Sequence, residues 1–120
     1  MEDRVPANPF MMYGAAKLAT YNMGSLYAKQ IGMEFIWPRI YSVYGVGENP
    51  GTLVNYCLDC LKKGEPPQVS NCENTWNFIY ISDCVEMLIL LSKSEDAKSG
   101  VYHIASGDTG KLKDFVNEMC

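Results

Sequence analysis

Helix-compatible stretches alternate along the chain with short apolar, β-favouring runs. From Phe10 to about Gln30 the sequence is rich in Ala, Met, Leu, Lys and Tyr, and Gly32 supplies a stop, so a helix is predicted over 10–30 after a Pro-containing loop at 1–9. "MEFIWPRIY" reads as a strand, and "SVYGVGENPG", with its glycines and proline, reads as a loop. Thr52 can cap a helix running to about Lys63, which "GEPP" ends. "PQVS" is expected as a short strand before the polar turn "NCEN". The strand "WNFIYI" follows, then a helix "CVEMLILLSK" started by Ser82 or Asp83, the strand "GVYHIAS", and a last helix from Lys111 onward.

The predicted order is αβαβαβα. Helices alternating with short apolar strands imply an α/β domain whose largely parallel sheet is covered by helices. With 120 residues the chain has room for one domain, and no linker or low-complexity segment interrupts it. A composition of 48% hydrophobic and 20% charged residues is that of a soluble globular protein.

Charge narrows the partners. A net charge of -4 argues against nucleic acid, whose affinity for proteins comes largely from Lys and Arg neutralising phosphates. No apolar run reaches the roughly 18 residues a membrane span needs, and "MEDRVPANPF" lacks the basic end and apolar stretch of a signal peptide, so no membrane partner and a cytoplasmic location are expected. The five cysteines cannot all pair within the chain, which fits a reduced compartment.

Two motifs lose their chemistry on inspection. Cys57 and Cys60 form a C-x-x-C, but "TLVNYCLDCLKKG" repeats apolar residues at helical spacing, no second C-x-x-C follows and His103 is the sole histidine. Buried small hydrophobes are expected there, with no metal site, and His103 reads as a strand residue. "GVGENPG" resembles a dinucleotide fingerprint, yet its spacing is G-x-G-x-x-x-G, Asn49 and Pro50 stand where the helix should open, and Glu48 would repel phosphate. It reads as a surface or substrate-facing loop.

Tyr13 and Lys17 are the remaining candidate pair. Residues i and i+4 share one helix face, and a nearby ammonium favours the phenolate, drawing a tyrosine pKa down from about 10 and making it a usable acid or base. Among eight tyrosines the spacing alone is weak, because an ordinary solvated helix face would carry it equally well.

The company of the pair decides the matter. "YGAAK" at 13–17, "PRIYSVYG" at 38–45, "WNFIYISD" at 76–83 and "GVYHIASGD" at 100–108 resemble, in order, the second half of the extended short-chain dehydrogenase/reductases. Within them the chain is similar to the NAD-dependent epimerase/dehydratase family, whose members modify nucleotide-sugars. The resemblance implies a fragment of an NAD(P)-binding, Rossmann-like doubly wound fold, with the end of the dinucleotide-binding domain over 1–45 and a truncated substrate-binding region over 46–120. It implies NAD or NADP as cofactor, a nucleotide-sugar as substrate and a homo-oligomer, a dimer in particular. A nucleotide-sugar 4-ketoreductase and a non-catalytic binding module of the same ancestry are the alternative readings.

Residue by residue, the resemblance makes Tyr13 the acid/base and Lys17 the group that lowers its pKa and binds the nicotinamide ribose. Ile40 and Val43 match the segment whose backbone passes the nicotinamide. Ser42 stands where many members carry an Asn that bonds the nucleotide-sugar, and Trp76 where many carry an Arg that grips the diphosphate. Gly51, Thr52 and Leu53 match a loop near the sugar nucleotide. Asp83 matches a family acid and reads physically as an N-cap. The Gly-rich phosphate loop and the Ser/Thr that precedes the tyrosine have no counterpart in these residues, so the chain alone is expected to be inactive.

Overall fold

A computed structural model describes residues 10–119; the loop expected over 1–9 and Cys120 lie outside the described residues. The elements are α1 (Met12–Ile31), β1 (Ile36–Ile40), β2 (Ser42–Tyr44), α2 (Leu53–Lys63), β3 (Thr75–Tyr80), α3 (Ile81–Lys93), β4 (Gly100–Ile104), β5 (Thr109–Lys111) and α4 (Leu112–Met119). They fall into two compact units. One holds the described residues up to Arg39 together with Leu91–His103, and the other holds Ile40–Leu90 with the chain from Ile104 onward.

In the first unit α1 ends as its sequence requires. Gly32 adopts the left-handed conformation (φ 70°, ψ 30°), and the amides of Gly32 and Met33 both reach the Ala28 carbonyl, which satisfies the end of the helix. The start carries no side-chain cap. Tyr21 faces Phe35 and Trp37 at centroid distances of 6.1 and 5.6 Å. Gly24 makes room for this cluster, since a Cβ there would stand 2.8 Å from the Phe35 ring. β1 and β4 form a two-stranded sheet. Beside it, Ser99 donates from both its backbone N and its Oγ to Glu34 Oε2, and the Gly100 amide donates to the Phe35 carbonyl at 3.0 Å.

The second unit is a mixed sheet with helices against it. β2 and β3 are parallel, with Ser42 beside Phe78, Val43 beside Ile79 and Tyr44 beside Tyr80. β5 adds to β3 antiparallel, with Asn77 opposite Thr109. β3 shows the period-two pattern of a strand between unlike environments: Asn77 and Ile79 are buried, while Trp76 and Tyr80 on the other face are exposed. The core gathers Cys57 from α2, Cys72, and Leu112 and Val116 from α4, with Leu53, Phe78 and Met119 packed against it. Cys57 and Cys60 are buried on one side of α2 as apolar residues.

Several local expectations are corrected. "PQVS" (67–70) forms no strand; the Gln68 amide instead donates to the Tyr56 hydroxyl of α2 at 2.9 Å. Ser42–Tyr44, expected as loop, is a strand because β3 lies alongside to pair with it. β5 has no apolar pattern of its own and is a strand through pairing alone. Thr52 occupies the N-cap position of α2, but its hydroxyl donates backwards to the Asn49 carbonyl at 3.0 Å and caps nothing. α3 begins at Ile81 directly from β3, so Asp83 is a first-turn acid that accepts from the Ser82 hydroxyl at 2.9 Å.

Candidate functional site

Tyr13 and Lys17 lie on the first two turns of α1. Lys17 Nζ sits 5.5 Å from the centroid of the Tyr13 ring, a cation–π spacing that the four-residue offset on a helix produces. Tyr13 is 73% exposed. Among the described residues no carboxylate pairs with Lys17. Both side chains are exposed.

The other predicted contacts belong to the second unit. Ile40, the last residue of β1, is half exposed. Ser42 and Val43 lie in β2, and the Val43 backbone is in the ladder beside Ile79. Gly51 is exposed, Thr52 is engaged with Asn49, and Leu53 turns into the core cluster rather than away from it. Trp76 is 38% exposed, with its ring 6.3 Å from that of Phe78, so it stands on the same sheet face as Phe78 and Tyr80. The loop ahead of α2 is held from below, because Asn55 Nδ2 donates to the carbonyls of Glu48 (3.1 Å) and Asn49 (3.0 Å). Gly45 and Gly47 take positive φ of 144° and 87°.

Two features escaped the sequence reading. Asn77, 4% exposed, donates from Nδ2 to Ser106 O, Ser106 Oγ, Asp108 O and Thr109 Oγ1 at 3.0–3.1 Å and accepts from Ser106 N at 3.1 Å. It ties the 106–109 loop to β3. The other is an aromatic-walled cavity of about 450 Å³ bordered by Tyr44, Phe78, Tyr80 and Phe115. The alternation of "WNFIY" was the available signal for the ring-bearing face, and the buried Asn within it for the hub.

The fold is Rossmann-like α/β. It overlays the crystal structure of dTDP-glucose 4,6-dehydratase from Bacillus anthracis in complex with NAD with a TM-score of 0.86 at 16% identity, over 99% of this chain and 38% of that one. UDP-N-acetylglucosamine 4-epimerase from Bacillus cereus gives a TM-score of 0.84 at 28% identity, over 99% of this chain and 41% of that one. The chain belongs to the NAD dependent epimerase/dehydratase family, which it matches over residues 1–105. CDP-abequose synthase of Salmonella typhimurium is 30% identical over 97 residues, 78% of this chain and 32% of that protein. The chain thus spans about a third of the length of this curated relative. Among the described residues no helix is long and apolar enough to cross a membrane.

Proposed function

We propose that these residues are the acid/base portion of an NAD(P)-dependent enzyme that modifies a nucleotide-sugar by epimerase or dehydratase chemistry. The observation that carries this reading is the Tyr13–Lys17 pair, one helical turn apart, exposed and without a carboxylate partner among the described residues, in a chain of this family. Tyr13 Oη moves the proton of a sugar hydroxyl or carbonyl. Lys17 sets its ammonium beside the Tyr13 ring and donates to the nicotinamide ribose, a hydroxyl-bearing group that suits a three-donor ammonium. Bound nicotinamide supplies the hydride acceptor or donor. Ile40 and Val43 are the residues whose backbone would adjoin it.

Ser42, Gly51, Thr52, Leu53 and Trp76 are assigned to the nucleotide-sugar side. Ser42 offers a hydroxyl, and Trp76 offers an indole face where a base can stack but no cation for the diphosphate. Met12, Met23, Leu26 and Tyr27 form an exposed apolar stripe on α1, which supports pairing of two copies through this helix. A protein spanning about a third of its curated relative's length is not expected to turn over substrate alone.

Calorimetric titration of NADH into this chain and into a longer protein containing it tests the reading. Binding weaker than about 1 mM is expected for the 120 residues, and tight binding abolished by Lys17→Ala for the longer protein. In the longer protein Tyr13→Phe should retain NADH and lose turnover. Lys17-independent binding, or full turnover by Tyr13→Phe, would overturn it.

A further inference from the structure

Phe78 and Tyr80 leave β3 on the face opposite Ile79, and Tyr44 leaves β2 beside Tyr80. The rings meet at steep angles: Tyr44 with Tyr80 at 5.3 Å and 66°, Tyr44 with Phe78 at 6.0 Å and 81°. Phe115 of α4 closes on Phe78 edge to face at 5.5 Å and 87°. These mutual contacts fix ring orientation and border a cavity of about 450 Å³, a volume suited to a small ligand.

The polar part of the lining is one-signed. Asp83 of α3, Asp108 of the loop before β5 and Glu118 of α4 line the cavity, and no Lys, Arg or His does. Among the described residues none of the three is in an ion pair. Asp108 is held through its backbone, because its carbonyl accepts from buried Asn77. An acidic rim alone would be a solvated surface. Together with four aromatic rings it gives the cavity an apolar wall beside an anionic rim, the combination that favours an organic cation over a neutral or anionic ligand.

We propose that this cavity binds a small organic cation, an alkylammonium group seated against Tyr44, Phe78, Tyr80 and Phe115 and balanced by Asp83, Asp108 and Glu118. A phosphate would meet three carboxylates without a compensating cation, so the anionic part of a nucleotide is excluded from it. The inference goes beyond the proposed reaction and stands without Tyr13 or Lys17, so NADH binding and cation binding fail independently.

The test is an NMR chemical-shift titration of the 120-residue chain, whose dispersed spectrum first establishes folding. The cationic probes are choline and glucosamine; the neutral counterparts are 3,3-dimethylbutan-1-ol and N-acetylglucosamine. Choline or glucosamine should shift the amides of Tyr44, Phe78 and Asp108 saturably, with each neutral counterpart at least about fivefold weaker. The tighter of the two cations identifies the source as a simple alkylammonium or an amino sugar. Asp108→Asn should weaken the cation about two- to fivefold and leave the neutral alcohol unchanged. Phe78 also packs on the core, so a measurement free of variants is included: raising NaCl from about 20 to about 500 mM should weaken choline selectively. Equal affinity for charged and neutral probes, no shift at these amides, or tighter binding of uridine monophosphate there would overturn the proposal.

Discussion

Replacing Asn77 by alanine should destabilise the second unit by about 2–4 kcal/mol. The figure follows from counting what the amide can satisfy. Nδ2 lies within 3.1 Å of four acceptors, Ser106 O, Ser106 Oγ, Asp108 O and Thr109 Oγ1, but has two hydrogens and can make two full bonds at a time. Oδ1 takes a third, from Ser106 N at 3.1 Å. Three bonds at a net of about 1 kcal/mol each, with a further penalty for the Ser106 amide left without its partner and a gain where water enters the half-buried loop, give that range. Urea unfolding followed by circular dichroism measures it, and the thermal midpoint should drop by roughly 10–25 °C. Hydrogen exchange should quicken at the Ser106 amide before it does so at Ile79, because the loop detaches first. A loss under about 1 kcal/mol, with Ser106 still protected, would refute the idea that this side chain holds the loop.

Four further substitutions test other parts of the fold. The Ser99 hydroxyl and then the Ser99 amide hold Glu34 below its ordinary value of 4.5; burial opposes them, and the charge of Lys98 adds the smallest downward contribution. A lowered folded-state value means that this stabilisation is present above pH 4.5 and lost as pH falls through the folded value, so the urea-midpoint gap between wild type and Glu34→Gln should shrink below pH 4.5. Gly45→Ala should cost more than about 2 kcal/mol in the same assay, since φ is 144° and the new Cβ would stand 2.6 Å from Ile81 Cγ2, whereas Gly47→Ala, with nothing within 4 Å, carries only backbone strain. Thr52→Ala should cost under about 0.5 kcal/mol, not the roughly 1 kcal/mol of a lost cap, because its hydroxyl serves Asn49.

Elements with their own punctuation were legible in the sequence. α1 and α2 stop at Gly32 and Gly64, both with φ of 70°, and "WNFIY" alternates as a strand should. What was illegible depends on pairing across the chain. Ser42–Tyr44 and Thr109–Lys111 carry too few residues for a period, and each is a strand because β3 offers it a ladder. "PQVS" has β-favouring character and no partner strand, so it stays irregular. Thr52 shows the limit of cap rules, since an N-cap side chain can bond the preceding turn as readily as the helix amides. The cavity was illegible because its rings come from β2, β3 and α4, which no local spacing connects.

The candidate pair, singled out by the co-linear motifs and not by its own spacing, lies off the packed side of α1. Gly14, Leu18, Tyr21, Gly24 and Ala28 recur at three- and four-residue intervals and are among its less exposed positions, with Gly24 placed against the Phe35 ring. Tyr13 and Lys17 are each one residue ahead of that stripe, about 100° round the helix, and so cannot be part of its packing. A helix that needed only to fold would gain by turning a tyrosine of this size inward, yet Tyr13 is left 73% exposed while Tyr21, two turns on, is packed between Phe35 and Trp37. The same residue type on the same helix therefore has two assignments. The inward one is accounted for by aromatic packing, and the outward one, with an ammonium 5.5 Å from its ring, is the one the proposed reaction uses.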